Sequence, residues 1–181
     1  MWNFAEDVLI MISEHSGEIT DITLLPFAVQ HVVRTFQWVK NLELRRLFLM
    51  KEEPDCDSHM AYFSRVLNDA RQVWYAIILQ GEHIGNCGLK NLDLNKKECE
   101  LWIYVGEQKM RGKGIGKKAT VMLIEKAKEL GYHTIYLHVA DFNHVAIKMY
   151  SSLGFYRSID QGDLSTWEDR GIKVIRMELV Q

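Results

Sequence analysis

Between residues 72 and 139 the hydrophobic period changes twice, and that change restricts the fold more than any other feature of the chain. QVWYAIILQ, IGNCGLKNLDL and CELWIYV are rich in β-branched and aromatic residues and are separated by the polar turns GEH and NKKE, so they read as three strands of a meander. From Ile115 the period becomes helical, with Ile115, Ala119, Met122, Leu123, Ala127 and Leu130 on one stripe and Gly131 placed to end the helix. HTIYLHV then returns to a strand pattern. A strand, a helix and a strand in succession favour a parallel pair, whereas a meander is antiparallel. The sheet must therefore be mixed.

The flanks fit the same unit. A short strand in ITDITLL precedes apolar positions Val29, Val32, Val33, Phe36 and Val39 at helical spacing, and LELRRLFLM reads as a second helical piece. KEEPDCDS is a loop in which Asp57 or Ser58 can cap a third helix, with Met60, Phe63, Val66 and Leu67 inward. After HTIYLHV, a short helix from Asn143 closes at Gly154, and the strands FYRSI and KVIRMELV follow across a polar loop around Trp167. With no internal repeat and only two prolines in 181 residues, one domain is expected, residues 18–180 forming its core and 1–16 an extension.

Charge and cysteine usage exclude several classes. Lys and Arg number 22 against 24 Asp and Glu, so no basic field of a general nucleic-acid binder is present. The three cysteines show no C-x-x-C spacing and imply neither a disulfide framework nor a structural metal site. No apolar run approaches the roughly 18 residues of a membrane span. A cytoplasmic protein without nucleic-acid or membrane partners, monomeric or homodimeric, is the expectation.

The stretch KMRGKGIGKKAT lies between the last strand of the meander and the long helix, where unpaired N–H groups and the positive end of the helix dipole favour an anion. A nucleotide-triphosphate loop fails, because Lys117 stands where the second glycine should be and Ala119 follows the lysine pair. G-x-G-x-x-A is met by Gly114, Gly116 and Ala119, but the parallel repeats of a dinucleotide fold are missing. The third pattern is R-x-x-G-x-G at Arg111, Gly114 and Gly116. Downstream, NHVAIKMYSSLGF sets an asparagine, then an alanine, then a tyrosine before a closing L-G-F.

With these two signatures, in this order, the chain resembles the GNAT superfamily of acetyl-CoA-dependent N-acetyltransferases. The resemblance implies a mixed α/β fold with a mostly antiparallel sheet of about six to seven strands, about four flanking helices, and splayed fourth and fifth strands. It also implies that acetyl-CoA is co-substrate, without a metal. The pyrophosphate would lie on Arg111, Gly112, Lys113, Gly114, Ile115, Gly116 and Lys117, and the pantetheine along Ile103, Tyr104 and Val105. Asn143, Ala146 and Tyr150 would complete the coenzyme site, with Tyr150 as general acid to the departing thiolate. A base is less determined: strand alternation puts Glu100, Trp102 and Tyr104 on one face and Thr134, Tyr136 and His138 on one face of the next strand. Glu100 or His138 can take the ammonium proton, and His59 is a third candidate.

For the acceptor, FQWVKNLELRR, SHMAYF and VGEQKMRGKG resemble the branch of ribosomal-protein and amino-sugar acetyltransferases. Trp38, Asn41, His59, Tyr62 and Trp167 are the candidates to bind it. A small-molecule amine such as a free or nucleotide-linked amino sugar is the first expectation, a protein N-terminus the second. A non-catalytic acetyl-CoA sensor is the third, and it would have no need of Tyr150.

Overall fold

In the computed structural model, which describes residues 21–50, 52–160 and 171–181, the meander is antiparallel as its pattern implies. β1 (Ile22–Pro26), β2 (Val73–Leu79), β3 (Glu82–Asp93) and β4 (Glu98–Val105) pair in that order. β5 (Thr134–Ala140) joins β4 in parallel, and β7 (Val174–Val180) lies antiparallel between β5 and the short β6 (Tyr156–Arg157). The order β1-β2-β3-β4-β5-β7-β6 gives the seven-stranded mixed sheet. Residues 1–16 and Trp167 lie outside the described residues.

The parallel pair is short. β4 and β5 are in register at Glu98–Thr134, Cys99–Ile135 and Glu100–Tyr136, and beyond those residues the two strands part. From Leu101 to Val105, β4 therefore has no neighbour on its β5 side, and a wedge opens in the middle of the sheet.

Five helices cover the described sheet: α1 (Val29–Val39), α2 (Leu42–Leu47) and α3 (Cys56–Val66), then α4 (Ile115–Glu129) and α5 (His144–Ser151). α4 packs its Ile115, Ala119, Leu123 and Ala127 stripe into the main core, with Cys87, Leu89, Leu101 and Ile135, and ends at Gly131 with φ 86°. Leu130 is exposed, so the stripe stops one turn earlier than its periodicity suggests.

α1 turns a different face inward from the one its valines mark. Val29 and Val33 are exposed, while His31, Val32, Thr35, Trp38 and Val39 are buried. The reason is a polar network under the helix. Asn86 on β3 donates to Thr35 Oγ1 (2.8 Å) and to the Tyr104 hydroxyl (2.7 Å), its Oδ1 accepts from His83 Nε2 (2.7 Å), and Thr35 donates to the His31 carbonyl (2.9 Å). Polar residues so paired can be buried at little cost, which leaves Val29 and Val33 to solvent while Val32 and Val39 stay inside. In α3 the cap is Asp55, which accepts from the Ser58 N–H at 2.8 Å, rather than Asp57 or Ser58; Phe63 and Val66 are buried but Met60 and Leu67 are not.

Candidate active site

Three cavities lie in and beside the wedge and share Phe48 in their walls. The outermost, about 530 Å³, is lined by the turn 111–117 and by the inner face of α5, including Asn143, Ala146 and Tyr150, with Ile103, Tyr104 and Val105 along its floor. Gly112 (φ 74°) and Gly114 (φ 78°) hold left-handed conformations, and a Cβ at either would meet nothing within 4 Å. Their glycines are thus required by backbone shape, with open space above them. α4 starts at Ile115, so its first N–H groups, without partners inside the helix, face the end of this cavity. Lys117 lines the same cavity.

Arg111 does something the motif does not show. Its Nε donates to the Val105 carbonyl at 2.9 Å and its guanidinium reaches the Gly106 carbonyl and Glu43 at 3.4 Å, which ties the turn to the end of β4. Asn143 caps α5, accepting from the Ala146 N–H at 3.2 Å. Thr120 Oγ1 donates to the Gly116 carbonyl at 2.8 Å and steadies the first turn of α4.

The middle cavity, about 240 Å³, sits where β4 and β5 separate and holds Lys90, Glu100, Trp102, His138 and Tyr150. Glu100 is only 5% exposed. Its Oε1 meets His138 Nδ1 and Lys90 Nζ, each at 3.1 Å, and its Oε2 accepts from Asn91 Nδ2 at 2.7 Å. Burial on its own pushes this carboxyl up, but the His138 hydrogen bond and the Lys90 charge outweigh it and hold the group below the usual carboxylate range. An ionised carboxylate can only accept, so His138 carries its proton on Nδ1. Opposite them stands Tyr150, 6% exposed, whose phenol burial pushes well above its ordinary value, so it is protonated throughout the neutral range.

The third cavity, about 460 Å³, lies between α1, α3 and the sheet and is walled by Phe48, Tyr62, Phe63, Trp74 and Tyr104, with His59 at its side and Glu52 and Arg65 among its lining. His59 Nε2 donates to the Val32 carbonyl at 3.2 Å and its ring stands 4.9 Å from those of Phe36 and Phe63, so it bridges α1 and α3. Phe48 borders all three cavities. It ends α2, where Met50 N donates to the Arg45 carbonyl at 2.9 Å and Leu49 takes the left-handed position at φ 61°. A leucine there costs about 1–2 kcal/mol, a strain offset by the surrounding contacts, among them the Phe48 and Met50 N–H bonds that close the end of α2.

The sequence candidates thus divide. Glu100, His138 and Tyr150 come together in the middle cavity, and the glycine turn, Asn143 and Ala146 line the groove beside it. His59 and Tyr62 line the third cavity. Trp38 and Asn41 line none of the three: Trp38 lies flat on Gly106 in the core, and Asn41 caps α2 by accepting from the Leu44 N–H at 3.0 Å. Phe48, Trp74, Lys90 and Arg65 were not singled out by the sequence. Trp74 and Lys90 stand at alternate strand positions that carried the signal; Phe48 sits in an apolar run, FLM, with none.

A model of the acetyltransferase (GNAT) family matches residues 37–155. The uncharacterized N-acetyltransferase YjgM of Escherichia coli (strain K12) is 30% identical over 100 residues, covering 55% of this chain and 60% of that protein. The uncharacterized N-acetyltransferase YdgE of Bacillus subtilis (strain 168) is 32% identical over 100 residues, 55% of this chain and 57% of that one. The chain therefore spans less than two thirds of either relative. Among solved structures, a spermidine N-acetyltransferase from Vibrio cholerae, in complex with CoA and spermine, superposes with a TM-score of 0.75 at 19% identity, over 88% of this chain and 95% of that one.

Proposed function

The chain belongs to the acetyltransferase (GNAT) family, and on that premise we propose that it transfers the acetyl group of acetyl-CoA to the primary amine of a small molecule. One observation carries the reading: the glycine turn, the buried Glu100–His138 pair and the protonated Tyr150 all open onto the wedge where β4 and β5 part. The coenzyme fits the groove chemically, since left-handed glycines, the N-terminus of a 15-residue helix and Lys117 suit a pyrophosphate. The CoA in the Vibrio cholerae structure supports the same choice.

The amine nitrogen attacks the thioester carbonyl carbon as the C–S bond breaks. The Glu100–His138 pair accepts the proton that the ammonium gives up, Tyr150 donates its phenolic proton to the departing thiolate sulfur, and the second proton that leaves the nitrogen as the amide forms returns the phenolate to the phenol. Two cavities that share Phe48 support an acceptor site beside that pair. Among the described lining residues, Glu52 shares its cavity with Arg65 and Glu100 is paired with Lys90, so the described walls offer no row of carboxylates to a polyamine. A single ammonium on a cyclic body suits these walls better, and an amino sugar is the acceptor we favour. Tyr150→Phe tests the assignment: acetyl-CoA still raises the melting temperature, while thiol release with an accepted amine falls by about 10²-fold or more. Undiminished release by that variant excludes Tyr150 as the acid.

A further inference from the structure

β3 carries one residue more than its pairing with β4 uses, and it does so beside the Glu100–His138 pair. Lys90 stands opposite Glu100 and Asp93 opposite Glu98, three steps along β3 against two along β4. Asn91 sits inside this irregularity, at φ 51° in the left-handed region. Leu89 is buried in the main core and Leu92 packs against that same core, so the apolar phase of the strand slips by one residue between them. In a regular strand, position 91 would share the core face with Leu89 and turn away from Lys90 and Glu100. The bulge turns it back, and Asn91 Nδ2 donates to Glu100 Oε2 at 2.7 Å. A glycine holds a left-handed position with less strain than an asparagine, so backbone shape alone does not call for this side chain.

We propose that Asn91 is a positioning residue for the acetyl transfer: from the bulge, its carboxamide fixes Glu100 Oε2 and so keeps Oε1 turned to His138. The inference rests on the acetyltransferase reading and deepens it by naming what orients the base. Oε1 meets His138 Nδ1 and Lys90 Nζ at 3.1 Å each, so with Asn91 on the other oxygen both ends of the carboxylate are held. Lys90 is 40% exposed, and an ammonium on a flexible stem acts as a point charge that does not fix the plane of a carboxylate. A carboxamide set in a bulge does. Asn91 is itself exposed, so its donor has no burial of its own to satisfy. Among the described residues, the other titratable groups around this carboxylate are Lys90 on β3, His138 and Tyr136 on β5, Glu98 two positions back along β4, and Tyr150 of α5 in the same cavity. Replacing Asn91 changes none of them, so an altered titration of the pair reports the carboxamide contact.

The test measures thiol release from acetyl-CoA with glucosamine, spermidine and an alanine-initiated tetrapeptide, and follows the amine that the wild type turns over fastest between about pH 5 and 9. Asn91→Gly keeps the left-handed position and removes the donor. It should lower kcat about tenfold and leave both KM values within a factor of two. It should also move the acidic limb of the pH profile up by about half a unit or more, since a carboxylate that loses a donor is protonated at higher pH. Asn91→Asp has the same size and tolerates the same backbone, but sets an acceptor against an acceptor, and should lose at least as much kcat. It carries the test alone should Asn91→Gly not fold. Gln80→Gly relaxes another left-handed residue, at φ 51° between β2 and β3, and as the control should change neither kcat nor the limb. An acidic limb that stays in place in the Asn91 variants, a kcat within a factor of two of the wild type, or a loss confined to KM overturns the inference while leaving an acetyltransferase, because the bulge then only shapes the strand. Absence of turnover with every amine overturns the acetyltransferase reading and the inference with it.

Discussion

Replacing Glu100 by Gln separates what the buried carboxylate does for the fold from what it does for the reaction. The carboxylate accepts from Asn91 on one oxygen and from His138 and Lys90 on the other, and all three partners are donors. A glutamine has one oxygen and one NH2. Turned either way, it puts its NH2 against a donor, at Asn91 in one rotamer and at His138 and Lys90 in the other. Leaving that contact unmade costs about 1–3 kcal/mol, and losing the charge on the remaining bonds about 1 kcal/mol more, so about 3 kcal/mol at pH 7 is expected. Lys90 is 40% exposed and recovers part of its hydration, which keeps the figure below the cost of a fully buried pair.

The sign with pH follows from the carboxyl standing below its ordinary 4.5 in the fold. Its contribution is fully present above that ordinary value and is lost as pH falls through the lower, folded one. Urea unfolding of the wild type and Glu100→Gln at pH 7 and again at pH 3 should therefore show a gap that shrinks on acidification. Thiol release at pH 7 should fall at least 10²-fold, with acetyl-CoA binding retained. A stability gap below 0.5 kcal/mol at pH 7, or one of equal size at both pH values, would refute the network as drawn.

Three further outcomes follow from the same structure. His31, His59 and His83 are all held below the ordinary histidine value, chiefly by burial, and His31 Nδ1 accepts from the Ala28 N–H at 2.9 Å; each stays neutral in the fold, so stability is complete above pH 6.5 and falls by up to about 1.4 kcal/mol per histidine per pH unit below it, and a melting temperature unchanged from pH 7.5 to 5.5 would contradict this. Gly106→Ala puts a Cβ 2.0 Å from Trp38 Cδ2 in the core and should cost about 3 kcal/mol in urea unfolding, with a loss under 1 kcal/mol showing that Trp38 can move aside. Gly114→Ala meets no atom but must hold φ 78°, so about 1 kcal/mol of stability should go while acetyl-CoA affinity, read by calorimetry, drops about tenfold; unchanged affinity would remove this turn from the coenzyme site.

The glycine turn, the helix start after it and the cap of α5 were legible because their requirements are local. Left-handed glycines, a helix start and an N-cap are each written within a few neighbouring positions, and they appear in Gly112, Gly114, Ile115 and Asn143 where the spacing puts them. Strand alternation grouped Glu100 with Trp102 and Tyr104, and His138 with Thr134 and Tyr136, each on one face of its own strand, but that Glu100 and His138 touch depends on β4 and β5 meeting in register at Glu100–Tyr136, which no local pattern contains. The acceptor side depends on such distant meetings throughout. Trp38 has the same amphipathic spacing as a ligand platform and the same spacing as a core residue, and what decides between them is Gly106, 68 positions away, on which it lies.

The same argument accounts for the aromatic wall. Trp74 on β2 and Trp102 on β4 are not adjacent strands' partners; each pairs with Gly88 on β3, one from either side. Residues in such a row point to one face of the sheet, and any side chain at the middle position would hold the two rings apart. A Cβ at Gly88 would stand 2.8 Å from Trp102 Cζ2, so a glycine is what lets the rings close to 4.1 Å above it. The row W-G-W is invisible along the chain because its members lie 14 residues apart each way, and it becomes visible only once the meander's register is known. Its chemical effect is to give that face of the sheet a continuous apolar surface, of which Trp102 lines the cavity holding Glu100 and His138. Gly112 and Gly114 hold left-handed turns with open space above them, whereas Gly88 makes room for two side chains and through them shapes the aromatic wall.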